Sequence, residues 1–134
     1  MSVYVDASAL LKLYLDEPES DVAQRILLGA GEWVTARHTA VEVRRNLARG
    51  LEGPPLAAAQ HQFSRDWENT AVVELTEEVC AAGAQLAEAT GARSLDALHL
   101  GAAKVVGGGT LPLVTFDLRQ AQIARGLGWV VLGV

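Results

Sequence analysis

The chain has 134 residues, half of them apolar, so it can bury a core without disulfides or a structural metal, and one compact domain over residues 1–134 is expected. Its net charge of −5, from 11 Lys and Arg against 16 Asp and Glu, excludes a protein that holds nucleic acid by bulk neutralisation of phosphate, so any such activity needs a local site. No apolar run approaches the roughly 18 residues that span a bilayer and no basic leader precedes the first strand, so no membrane association and a cytoplasmic location are expected.

Val3-Tyr4-Val5 is a β-branched and aromatic run ending at Asp6, and residues 9–14 then read as helix, so a strand feeds a helix. Asp16-Glu17-Pro18 breaks the pattern, residues 21–28 are helical, and Trp33 to Ala36 make a second strand. Ala40, Val43, Leu47 and Leu51 share one face of a helix that Gly53-Pro54-Pro55 stops; another helix follows the prolines to about Asn69. Residues 71–75 are a third strand, and Thr76-Glu77-Glu78 opens an alanine-rich helix ending at Thr90-Gly91. Cys80, the single cysteine, is assigned to core packing.

Ser94 is placed as the cap of the next helix, residues 95–106, which is apolar nearly all round apart from Asp96, His99 and Lys104 and should be largely buried. Residues 111–116 form a fourth strand, 117–125 a helix and 129–132 a fifth strand. This alternation predicts an α/β fold: a central five-stranded, mainly parallel sheet flanked by helices on both faces.

In such sheets ligands collect beyond the carboxyl ends of the strands, where Asp6 and Asp117 directly follow the first and fourth. Each is equally suited to cap the helix it precedes. Asp96 sits in the first turn of a buried helix, where a carboxylate is costly unless paired, and Arg93 or a metal are the candidate partners. Glu42 lies at the edge of an apolar stripe beside Thr39 and Asn46; alone it reads as an exposed glutamate paired with Arg45 or Asn46. Two strand-end acids with two acids on flanking helices suit a hard divalent cation, because Mg²⁺ and Mn²⁺ prefer carboxylate oxygen and water.

Val3-Tyr4-Val5-Asp6-Ala7-Ser8-Ala9-Leu10, Ala40-Val41-Glu42-Val43-Arg44-Arg45-Asn46-Leu47, the segment 93–103 and Leu113-Val114-Thr115-Phe116-Asp117-Leu118-Arg119 resemble, in order, the four motifs of PIN domains, and in particular those of VapC toxins. The resemblance implies a parallel sheet of order 3-2-1-4-5 with an acidic groove, and Mg²⁺- or Mn²⁺-dependent endoribonuclease activity. It also implies a cognate antitoxin that inhibits by occupying the groove, and a homodimer. Asp6, Glu42, Asp96 and Asp117 match its acidic positions, while Ser8 and Thr115 match its small hydroxyl positions.

Arg44, Arg45 and Arg49 form a basic patch suited either to guiding RNA or to plain solvation, and Arg93 is a further candidate RNA contact. His99 reads as structural, with support of Asp96 as the alternative. His38 and His61 lack zinc spacing, and Gly107-Gly108-Gly109 is a turn rather than a phosphate loop. Trp33 and Trp67 are assigned to core or interface. A phosphohydrolase with a nucleophilic aspartate would want a second Asp two residues after Asp6, where Ser8 stands. The other alternative is a catalytically silent PIN-like binding module.

Overall fold

The computed structural model describes residues 1–134. Five strands, β1 (Ser2–Val5), β2 (Glu32–Ala36), β3 (Ala71–Val73), β4 (Leu113–Thr115) and β5 (Val131–Gly133), pair in the order β3-β2-β1-β4-β5. Every neighbouring pair is parallel, with Tyr4 of central β1 in register with Val34 on one side and Leu113 on the other. This is the expected order.

Side chains alternate across a strand, so β1 feeds two cores. Val3 and Val5 pack with Leu10 of α1 (Ala7–Leu11), Leu27 of α2 (Ser20–Gly29), Leu47 of α3 (Thr39–Gly50) and Phe63 of α4 (Gly53–Glu68). Tyr4 faces the other side, among Val79 and Leu86 of α5 (Glu77–Thr90), Leu100 of α6 (Ser94–Gly107) and Ala124 of α7 (Leu118–Gly126). Helices on both faces explain why Val3, Tyr4 and Val5 are all fully buried.

The α5–α6 contact is backbone to backbone. A Cβ at Gly101 would sit 2.7 Å from Gly83 N and 2.8 Å from Val79 O, so only glycine permits this approach. The contact clamps the helix that carries Asp96 and His99.

Several expectations need correction. Cys80 is exposed, because the buried stripe of α5 runs through Val79, Gly83 and Leu86 and the next residue round points away. Pro54 and Pro55 lie in the first turn of α4 rather than before it; the missing N–H costs nothing there. Ser94 is the first residue of α6, and the cap position belongs to Arg93, which makes no side-chain cap. β5 starts two residues late because Trp129 N donates to Ala124 O and closes the turn after α7. Leu95, Val105 and Val106 are exposed although α6 is otherwise largely buried. No helix is long and apolar enough to cross a membrane.

Candidate active site

The first acid is set by the β1–α1 junction. Asp6 caps α1, its Oδ1 accepting from Ala9 N at 3.1 Å and from Ser8 Oγ at 2.6 Å, while Oδ2 accepts from Thr115 Oγ1 at 2.5 Å. Thr115 Oγ1 in turn accepts from Asp117 N at 3.1 Å, and Ser8 Oγ accepts from Phe116 N at 2.9 Å. A polar seam therefore joins the ends of β1 and β4, with Ser8 and Thr115 as its hydroxyls. Burial pushes the Asp6 carboxyl above its usual range, against the pull of His99 and of the donors from Ser8, Thr115 and Ala9.

Asp117 caps α7, its Oδ1 accepting from Arg119 N at 2.9 Å and Gln120 N at 3.2 Å. Both strand-end acids are thus helix caps as well as members of the cluster; a cap occupies one oxygen and leaves lone pairs free. Asp117, Asp96 and Glu42 line a cleft of about 610 Å³ with Asn46, Arg93, Ser94 and Leu95. Asp6 is buried and adjoins this cleft through Thr115 rather than lining it.

Arg93 bridges two of the acids. Its Nε lies 3.5 Å from Asp96 Oδ2 and its Nη2 3.6 Å from Asp117 Oδ2, with 68% of the side chain exposed. The expected Arg93–Asp96 pair is present. Burial and the neighbouring charge of Asp117 raise the Asp96 carboxyl, and Arg93 opposes them. Arg44, Arg45 and Arg49 are exposed on α3, and the first two line a separate groove with Ala40, Val41, Ala48 and Gln60.

Glu42 pairs with neither residue expected of it. Asn46 Nδ2 donates to the Glu42 backbone carbonyl at 2.8 Å, and the carboxylate instead meets His99 Nε2 at 2.7 Å. His99 is 1% exposed, and its Nδ1 lies 2.8 Å from Tyr4 Oη. A neutral ring satisfies both contacts: the Tyr4 hydroxyl donates to Nδ1 and Nε2–H donates to Glu42. Both ring nitrogens are satisfied, as the structural reading expects, and the acid that His99 touches is Glu42, not Asp96.

His38 completes the group. Its Nε2 is 3.6 Å from Glu42 Oε1 and 3.1 Å from Leu95 O, and its ring centroid is 4.2 Å from that of His99. Burial, then the neighbouring His99, lowers its pKa against the pull of Glu42, which favours the neutral imidazole. Sequence reasoning missed His38 and Tyr4. The spacing of His38 and Glu42, four apart on one helix, was a signal; His99, 57 positions from Glu42, left none.

A parallel α/β domain that brings carboxylates from β1, α3, α6 and β4 to one end of its sheet has the oxygen donor set of a hard divalent cation. A PIN domain family match covers residues 3–126, and the chain belongs to that family. Ribonuclease VapC45 of Mycobacterium tuberculosis is 35% identical over 131 residues, covering 94% of this chain and 91% of that protein. Among solved structures, Mycobacterium tuberculosis VapC20, described as a Sarcin-Ricin loop cleaving toxin, superposes with a TM-score of 0.71 at 18% identity over 96% of each chain. A toxin–antitoxin complex from Klebsiella pneumoniae gives 0.67 at 14% identity over 86% of each.

Proposed function

We propose that this chain is an endoribonuclease that hydrolyses RNA phosphodiester bonds with Mg²⁺ or Mn²⁺ held by Asp6, Glu42, Asp96 and Asp117, and that it is the cytoplasmic toxin of a toxin–antitoxin pair. The observation that carries the reading is the convergence of Glu42, Asp96 and Asp117 on one cleft, with Asp6 tied behind them, in a PIN-family chain whose curated relatives are named ribonucleases.

The cation, when bound, supplies an activated water and neutralises charge on the phosphate. Ser8 and Thr115 fix the Asp6 carboxylate through its two oxygens, and His99 fixes Glu42. A water attacking phosphorus must lose a proton, and the carboxylates are the lining groups able to accept it. Arg93 reaches from an exposed position to the rim of the cleft, where it can hold an RNA phosphate.

The partner is an antitoxin whose basic side chain, an arginine, enters among the acids and supplies the charge the metal otherwise provides. The groove of Ala40, Val41, Arg44, Arg45, Ala48 and Gln60 between α3 and α4 is its approach. Partly buried Leu51 and Trp67 offer apolar area for that contact or for a homodimer, whereas neighbouring Phe63 is only 4% exposed and belongs to the core.

Asp6→Asn and Asp96→Asn keep shape and remove charge. Each should leave the circular dichroism spectrum unchanged and lower metal-dependent RNA cleavage by roughly 100-fold or more. Near-wild-type cleavage by either variant overturns the catalytic assignment, and no cleavage by the wild type with metal favours a silent binding module. Undiminished cleavage at saturating partner in a copurified complex overturns the inhibitory-groove reading alone.

A further inference from the structure

We propose that His38, Glu42 and His99 form a second metal site, for Zn²⁺, and that filling it draws Glu42 out of the acidic cleft so that zinc antagonises the Mg²⁺- or Mn²⁺-dependent reaction. Zinc binding rests only on these three side chains; the antagonism rests on the nuclease reading.

The donor chemistry separates this site from the cleft. Two imidazole nitrogens and one carboxylate oxygen are a ligand set for borderline metals, whereas Mg²⁺ and Mn²⁺ favour oxygen alone. The three ligand atoms lie within 4.8 Å of one another. Ligands held at about 2.0–2.1 Å in a zinc tetrahedron stand roughly 3.3 Å apart. The 2.7 Å from Glu42 Oε1 to His99 Nε2 and the 3.6 Å from Glu42 Oε1 to His38 Nε2 bracket that spacing, and the two imidazole nitrogens, within 4.8 Å of each other, are brought to it by a shift of the His38 ring.

The scaffold supports the same arrangement. His38 and Glu42 sit four residues apart on one face at the start of α3, and α6, clamped against α5, delivers His99. A metal-bound imidazole needs its other nitrogen to carry the proton and donate it to an oxygen, and Tyr4 Oη stands 2.8 Å from His99 Nδ1. Tyr4 and His99 are both buried, so the outer contact is shielded from water. His38 is the member that must adjust: one hydrogen bond, to Leu95 O, holds its ring, and its buried Nδ1 has no partner. Glu42 also lines the cleft, where water can reach it to complete the coordination.

Titration of the full chain with Zn²⁺ against a chromophoric chelator, in millimolar Mg²⁺, tests the site. One equivalent should bind per chain. Asp96→Asn should retain it, and His38→Gln should weaken it at least about 10-fold, the loss seen even for an outer partner of a metal ligand. Co²⁺ in place of Zn²⁺ should give the intense visible bands of a four-coordinate nitrogen–oxygen site in the wild type and lose them in His38→Gln. Circular dichroism melting confirms that both variants are folded. Zinc affinity that is lost in Asp96→Asn and unchanged in His38→Gln puts zinc in the carboxylate cleft and overturns the proposal, as does a wild type that binds no zinc above Mg²⁺. Zinc bound as stated by a chain that cleaves no RNA leaves this site standing and removes the nuclease reading instead. Cleavage by the wild type should be inhibited by stoichiometric zinc and cleavage by His38→Gln should not; equal inhibition of both overturns the antagonism.

Discussion

His99 Nε2 stands 2.7 Å from Glu42 Oε1, so an acid on α3 at the wall of the cleft is held by a side chain from the buried interior of α6. The bond fixes the direction of a carboxylate that would otherwise sweep through several rotamers. A hydrogen bond to a charged group contributes about 1.5–3 kcal/mol, on the order of 10- to 100-fold if it acts only in the transition state. His99→Ala should therefore lower kcat for RNA cleavage by at least about 10-fold in zinc-free buffer with KM little changed, and His99→Gln, which keeps a donor, should recover part of the loss. Equal loss from both variants, in step with their melting temperatures, would assign His99 a packing role alone.

Asp96 should trade stability for function. Its carboxyl and that of Asp6 are raised chiefly by burial, so the folded chain holds these protons more tightly than the unfolded chain does. The stability linked to them is present below the unfolded value of about 3.9 and is lost as pH rises through the folded value. His38 acts in the opposite sense: its lowered value gives stability above about 6.5 that is lost as pH falls through the folded value. In metal-free buffer at pH 7, Asp96→Asn should melt higher than the wild type. Mg²⁺ or Mn²⁺ should raise the wild-type melting temperature, EDTA should reverse the rise, and the effect should shrink on acidification before ordinary carboxylates titrate. Differential scanning calorimetry with and without metal at several pH values reads all three.

Arg93 occupies the position of a cation between Asp96 and Asp117. Metal entering the cleft must compete with its guanidinium, and RNA then offers that group a phosphate in exchange. Arg93→Gln should tighten Mn²⁺ binding by a few-fold while raising KM for RNA. Exposure limits the size of both effects. Isothermal titration for the metal and steady-state kinetics for the RNA separate them; weaker metal binding by the variant would mean that Arg93 supports the site rather than competing for it.

Gly101 tests the scaffold apart from the chemistry. A methyl group there meets Gly83 N at 2.7 Å and Val79 O at 2.8 Å, both backbone, so neither can move aside cheaply. Gly101→Ala should destabilise the fold by about 1–3 kcal/mol in chemical denaturation, as overpacking does, and should weaken metal binding because the shifted helix carries Asp96 and His99.

The amino-acid sequence by itself determined the alternation of strands and helices, the mainly parallel sheet and the placing of Asp6 and Asp117 at strand ends, because each follows from local periodicity and from the rule that such sheets gather ligands at their carboxyl edge. The order 3-2-1-4-5 and the four candidate acids were legible through motif resemblance, since no single motif is specific. Tertiary packing alone decided what each acid touches. Thr115 reaches Asp6 from 109 positions away and His99 reaches Glu42 from 57, separations that carry no periodic signal. Local pattern likewise placed Cys80 in the core, and the structure reverses this, because burial depends on which helical stripe the neighbouring elements cover. The pairing of Glu42 with two histidines, rather than with Arg45 or Asn46, arises because His99 of α6 reaches the first turn of α3 although the two helices pack on opposite faces of the sheet, a contact that only the folded chain creates.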